Sequence, residues 1–158
     1  MKEKLIKTEN IKATVSGSFD KFKPEIDLAI TELQDLGVTV LAPDKGWLYI
    51  PPTGAAKSKE DFRPLPSERY MNPKQVEDSF LNSIRQSDFL YVLNLEGYIG
   101  NTVSLEIGFA VALEIPVFMN REPSILLDLD ERWEEIKSKI VICTIQEAVD
   151  IIRTKKDT

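Results

Sequence analysis

Phe89–Met119 reads FLYVLNLEGYIGNTVSLEIGFAVALEIPVFM, and this run sets the architecture expected of the whole chain. Phe89 to Leu93 is short and mostly apolar, the pattern of a strand covered on both faces of a parallel sheet. Asn94 to Asn101 carries two glycines and reads as a loop. From about Thr102 to Leu113 the residues are apolar on nearly every side, with Glu106 the only charge, so the helix is expected to be buried all round. Pro116 to Met119 reads as the next strand. Strand, loop, helix and strand thus alternate along this stretch, as they do in the opening strand–helix–strand of Ile11 to Ala42, a βαβ unit whose crossover is expected to be right-handed.

The same alternation extends both ways along the chain. Ile11 to Ser16 reads as a first strand ending at Gly17-Ser18. Ile26, Ala29, Ile30, Leu33 and Leu36 recur at helical spacing between Pro24 and Gly37, and Val38 to Ala42 makes a second strand. Asn72-Pro73 opens another helix with an N-cap and a first-turn proline, and Val76, Phe80 and Ile84 form its apolar stripe. After Met119, a helix is expected over Asp130–Lys139, a strand over Ile140–Thr144 and a helix over Ile145–Arg153. About five parallel strands with helices on both faces give a doubly wound, flavodoxin-like (Rossmannoid) α/β fold in one domain spanning 1–158, with residues 1–10 and 154–158 as flexible ends. Lys45–Tyr70 does not fit the alternation. Its prolines and its aromatics Trp47, Tyr49, Phe62 and Tyr70 suit a lid, a subunit contact or a small satellite core.

Composition narrows the chemistry. The 158 residues are 42% hydrophobic and 29% charged, with a formal net charge of −6. An acidic chain has no electrostatic reason to bind nucleic acid or an anionic membrane. No apolar run reaches the ~18 residues of a membrane span, and Met1–Asn10 lacks the apolar core of a signal peptide, so a cytoplasmic location is expected. There is no histidine and one cysteine, Cys143, expected to be inert in the core. Disulfides, cysteine zinc sites, histidine bases and histidine-ligated metals are thereby excluded, and no cofactor or metal is expected. Chemistry falls to carboxylates, hydroxyls, Lys, Arg and the backbone.

In doubly wound sheets ligands sit at the carboxyl ends of the strands. That rule points to Ser16-Gly17-Ser18-Phe19, where small residues let backbone N–H groups approach an anion or a heterocycle. It points also to Asn94, Glu96, Gly97 and Gly100 in the loop after the third strand. Asp20, Lys21 and Lys23 could rim the cleft. Glu106 lies about one turn into an apolar helix. A buried carboxylate there costs several kcal/mol or titrates upward, so it reads either as a nucleophile or acid, or as a residue serving the helix N-terminus. Asp88 precedes a buried strand, as a functional acid or a turn residue.

A strand ending Ser16-Gly17-Ser18, a Ser87-Asp88 before the third strand, and GYIGNTVSLEIGFA (Gly97–Ala110) after it resemble the nucleoside 2-deoxyribosyltransferase-like superfamily, which includes deoxynucleoside 5′-monophosphate N-glycosidases. The resemblance spans roughly Ile11 to Asn120. It implies a retaining reaction at the sugar C1′, with Glu106 as nucleophile and Asp88 orienting or protonating the base or sugar. It implies nucleoside or 5′-phosphate contacts at Gly17, Ser18 and Phe19, and assembly as a homodimer or higher oligomer. Two features depart from the family pattern: the loop reads Asn94-Leu95-Glu96-Gly97, and Asp20-Lys21 stand where monophosphate hydrolases carry a phosphate-binding Arg.

The expected reaction is attack of Glu106 on C1′ as the base leaves through an oxocarbenium-like state, followed by water or a second base, with Asp88 or Glu96 supplying a proton. A non-catalytic nucleotide-binding or sensor module and an NAD-type N-glycoside hydrolase are the alternatives. A phosphoacceptor domain is disfavoured, because Val15-Ser16-Gly17 stand where its paired acids belong.

Overall fold

A computed structural model of the chain describes residues 11–43, 72–95, 97, 99–123 and 132–157. The elements run β1 (Lys12–Ser16), α1 (Phe19–Asp35), β2 (Thr39–Ala42), α2 (Pro73–Gln86), β3 (Phe89–Val92), α3 (Asn101–Ala112), β4 (Val117–Met119), α4 (Arg132–Lys137), β5 (Ile140–Ile142) and α5 (Ile145–Lys156). The Lys45–Tyr70 expectation and Glu96 lie outside the described residues.

All five strands are parallel, in the order β2-β1-β3-β4-β5. Strand alternation sorts their side chains into two cores. Ala13, Val15, Phe89, Tyr91 and Phe118 face α1 and α5, meeting Ile26, Ile30, Leu33, Val149 and Ile152. Phe89 and Phe118 meet edge to face at 5.6 Å. Leu90, Val92, Val117 and Met119 face α2 and α3, meeting Phe80, Ile84, Val103, Ile107 and Ala110. This is the doubly wound α/β fold, with the flavodoxin strand order.

Local chemistry sets the element ends. Asn72 Oδ1 accepts from the Gln75 N–H and Gln75 Oε1 from the Asn72 N–H, both at 2.9 Å, a reciprocal cap that starts α2. Thr144 and Glu147 do the same for α5, which is why β5 stops at Ile142 and not at Thr144. Gly37, at φ 86°, ends α1, and the Val38 N–H returns to the Leu33 carbonyl at 3.0 Å. Helix α1 starts five residues before Pro24, which is accommodated inside it. Cys143 is half-buried, its thiol held above its usual range mainly by burial, and its carbonyl accepts the Tyr91 hydroxyl at 3.0 Å.

Helix α3 differs from expectation. Val103, Glu106, Ile107 and Ala110 face inward, but Leu105 is 57% and Leu113 40% exposed. An apolar composition all round cannot distinguish a covered face from one left open. None of the described helices is long and apolar enough to cross a membrane.

Candidate active site

The sheet reverses its winding between β1 and β3, and in doubly wound sheets the ligand crevice lies beyond the carboxyl ends of the strands at that point. Ser16 closes β1 there, paired with Val92, and its carbonyl accepts the Leu93 N–H at 2.8 Å. Ser16 and Thr14 are wholly buried on the α2/α3 side of the sheet. Buried hydroxyls need partners. Thr14 shares a hydrogen bond with Ser87 at 2.8 Å, and Ser16 Oγ donates to Glu106 Oε1 at 2.5 Å.

Glu106 is 4% exposed. Its carboxyl also hydrogen-bonds with Glu77 of α2, a residue the sequence reading did not single out. Two carboxyl groups in contact must hold a proton between them. Burial, then repulsion from Glu77, push the Glu106 carboxyl well above the ordinary carboxylate range, and the Ser16 hydroxyl opposes that shift. Glu77 had a readable signal, since Glu77, Phe80 and Ile84 stand at i, i+3 and i+7. A carboxylate on the inward stripe of an amphipathic helix needs an explanation that a solvated charge does not.

The other expected site residues divide. Gly17 follows Ser16 at the crevice, and a Cβ there would stand 3.0 Å from the Leu93 carbonyl oxygen and 3.3 Å from Ile26 Cδ1. Its missing side chain lets α1 start close under the end of β3. Ser18 is the N-cap residue of α1 and Phe19 its first residue. Gly100 is the N-cap residue of α3, and its carbonyl accepts both the Ser104 N–H and the Ser104 hydroxyl. Gly97 is buried in a left-handed turn, φ 80°. Two helix N-termini, those of α1 and α3, therefore flank the Ser16–Glu106 contact, a setting that favours an anionic group.

Asn94 and Asp88 are corrected. Asn94 was expected at the cleft mouth, but it is 1% exposed and clasped to the β4 end. Its N–H donates to Asn120 Oδ1 at 2.6 Å, its carbonyl accepts from Asn120 Nδ2 at 2.9 Å, and its own amide donates to the Arg121 carbonyl. It braces two loops. Asp88 lies at the amino end of β3, the opposite edge of the sheet from Glu106. There it accepts the Lys12 N–H at 2.8 Å and pairs with Lys156 at 3.1 Å. A residue just before a parallel strand stands at that strand's amino end, so Asp88 joins β3 to the start of β1.

Lys23, on the inward side of α1, is 2% exposed and paired with Asp27. Among the described residues no three His, Cys, Asp or Glu side chains cluster as metal ligands.

No protein-family model matches the sequence, and no curated protein matches it. Solved structures do. A conserved protein from Enterococcus faecalis V583 superimposes with a TM-score of 0.57 at 15% identity, over 92% of this chain and 98% of that one. The Clostridium botulinum CMP N-glycosidase BcmB superimposes with a TM-score of 0.52 at 12% identity, over 91% of this chain and 98% of that one. At these identities the likeness is one of fold, and this chain shares the doubly wound architecture of a nucleotide N-glycosidase over nearly its full described length.

Proposed function

We propose that the chain cleaves the N-glycosidic bond of a nucleotide or nucleoside, with Glu106 as nucleophile and Glu77 as its proton partner. The observation that carries this reading is the contact of the buried Glu106 carboxyl with the half-buried Glu77 at the sheet's switch point, with Ser16 donating to Glu106. A fold shared with a CMP N-glycosidase supports it. The substrate is a small-molecule nucleotide, and the reaction belongs in the cytoplasm.

One proton held between two carboxyls supplies both roles that retaining glycoside cleavage needs. As Glu106 attacks C1′, the C1′–N bond breaks, its electron pair goes to the base, and Glu77 delivers the proton to the departing nitrogen. Water then attacks C1′ of the glycosyl ester. Glu77 takes a proton from that water, and Glu106 leaves as the bond to C1′ breaks, restoring the pair. Glu77 thus fills the role expected of Asp88 or Glu96. Ser16 holds the carboxyl of Glu106 in place. Backbone N–H groups at the starts of α1 and α3, with Ser18, suit a sugar hydroxyl or a 5′-phosphate.

The test is release of free base, followed by liquid chromatography, from ribo- and deoxyribonucleosides, their 5′-monophosphates including CMP, and NAD. The expected result is release from at least one monophosphate, absent in Glu106→Gln. A second reading is favoured by the shared proton itself. A neutral carboxyl pair makes good hydrogen bonds to a base without attacking a sugar, as in a nucleotide-binding module. Calorimetric binding of a monophosphate without base release selects that reading.

A further inference from the structure

A cleft of about 290 Å³ lies at the amino edge of the sheet, the opposite edge from Ser16 and Glu106. Helix α3 ends there because it returns the chain to the start of β4. Helix α5 ends there too, since its Lys156 pairs with Asp88. The volume is at the lower end of the ~300–1,000 Å³ of small-molecule sites, so the occupant it fits is small. Val117, Val141 and Ile151 line the cleft with apolar surface, and Val141 is left 45% and Ile151 36% exposed. Glu114, Lys139 and Lys155 bring charge to the same cleft. Among the described residues, the side chains of Glu114 and Lys139 make no ion pair or hydrogen bond within the chain. Glu114 is also held in a left-handed conformation, φ 60°. Its N–H bonds to the Val111 carbonyl at 3.0 Å, and the Ile115 N–H to the Ala110 carbonyl at 2.9 Å. Helix α1 ends with the same pair of bonds, and there the left-handed residue is Gly37. Glycine is the usual residue at such a stop, because a Cβ makes the conformation costly. A glutamate in that place accepts the backbone cost and sets a carboxylate on the cleft.

We infer that this cleft binds a small zwitterion with an apolar body, of the class of the free apolar α-amino acids. The charges are divided between elements. Glu114 stands at the C-terminal end of α3, whose last turn holds no basic side chain, so the negative pole of the helix adds to the carboxylate. That end of the cleft favours an ammonium group. Lys139 immediately precedes β5, and Lys155 belongs to the last turn of α5. Those two ammonium groups favour a carboxylate. Between them, the ligand's apolar side chain covers Val141 and Ile151, removing apolar surface from water. A simple anion would meet Glu114, and a simple cation would meet the two lysines. Charge complementarity therefore selects a molecule that carries both signs. A nucleotide, with its phosphate, is disfavoured by the same carboxylate. The inference does not rest on the reaction proposed for Glu106, which lies at the other edge of the sheet.

The experiment titrates the full chain by calorimetry with L-leucine, L-phenylalanine, L-serine, isocaproate and isopentylamine. Isocaproate is leucine without its ammonium group, and isopentylamine is leucine without its carboxylate. Leucine or phenylalanine should bind saturably and serine should not. Each single-charge analogue should bind at least roughly tenfold more weakly than leucine, the scale of one charge-assisted hydrogen bond. Lys139→Gln and Glu114→Gly should each weaken leucine binding by about the same factor. Glycine relieves the left-handed backbone, so the thermal midpoint of Glu114→Gly should be no lower than that of the wild type. Leucine binding should persist in Glu106→Gln, which separates this cleft from the reaction site. The analogue series uses the unaltered chain and keeps the inference testable if a variant fails to fold. No saturable binding of either apolar amino acid, equal binding of isocaproate and leucine, or leucine binding unchanged in both Lys139→Gln and Glu114→Gly would overturn it.

Discussion

Ser16, the last residue of β1, donates its hydroxyl to Oε1 of Glu106 on α3 at 2.5 Å, across 90 residues of sequence. The bond joins a strand end to the helix that follows another strand, so only the completed sheet can form it. It also acts on charge. A donor to a carboxylate stabilises the ionised form, and here it opposes what burial and Glu77 do to Glu106. Ser16→Ala should therefore raise the Glu106 carboxyl further and reduce its carboxylate fraction at neutral pH. A hydrogen bond to a charged group contributes about 1.5–3 kcal/mol, roughly tenfold to a hundredfold in rate. The expected outcome is a loss of that size in base release, with the acid limb of the pH–rate profile moved to higher pH. A reduced rate with an unmoved limb would assign Ser16 to packing.

Glu77→Gln separates proton delivery from nucleophilic attack. General acid catalysis contributes roughly 10²–10⁴-fold, and only where the leaving group needs a proton. Base release from the preferred monophosphate should fall by about that factor. The first-turnover burst of phenolate from a 4-nitrophenyl riboside, whose leaving group departs unprotonated, should change little, although hydrolysis of the glycosyl ester still needs Glu77 as base. Equal losses on both substrates would remove Glu77 as the acid.

Much of this arrangement was legible in the residues. The apolar run Phe89–Leu93, the caps at Asn72 and Gly37, and the single charge inside Thr102–Leu113 mark the fold and Glu106 through local rules. Ser16 and Gly17 follow from the carboxyl-edge rule. Glu77 was overlooked because a glutamate on an amphipathic helix is ordinarily solvated, and only its place on the Phe80–Ile84 stripe sets it apart. Asp88 failed for the opposite reason. Its position before a strand already placed it at the amino edge, and the family resemblance outweighed that geometry. The outward face of α3 was misread because residue type reports hydrophobicity and not whether a neighbour is there to cover it.

Asp88→Asn serves as the geometric control. The change weakens the pairing with Lys156, a partly exposed contact of the kind that contributes about 0–1 kcal/mol, and the bond from the Lys12 N–H. The thermal midpoint should fall slightly and base release should keep its wild-type rate. A large loss of activity without unfolding would mean that the amino edge of the sheet takes part in the reaction.

The strongest prediction joins stability, pH and activity in Glu106→Gln. In the folded chain the Glu106 carboxyl is raised from its ordinary 4.5 to about 9, by burial first and by Glu77 second. The folded state thus binds this proton more tightly than the unfolded chain does. The stability that comes from holding it is complete below about pH 4.5 and is lost as pH rises towards 9. Glutamine has nothing to ionise in that window and preserves the size of the side chain, and its carbonyl oxygen can still accept from Ser16. The variant should therefore gain on the wild type by up to about 1.4 kcal/mol per pH unit through the window, a slope read from denaturant midpoints of both proteins at matched pH. Taking the difference cancels the titration of the carboxylates that do not touch Glu106, leaving that of the Glu77–Glu106 pair. On the same preparations base release should fall by roughly a thousandfold or more, the scale of losing a nucleophile. A stability gap that stays constant with pH would mean that Glu106 is ionised in the resting protein and that no proton is stored with Glu77. Full activity in the variant would remove the nucleophile outright, whatever the stability curve shows.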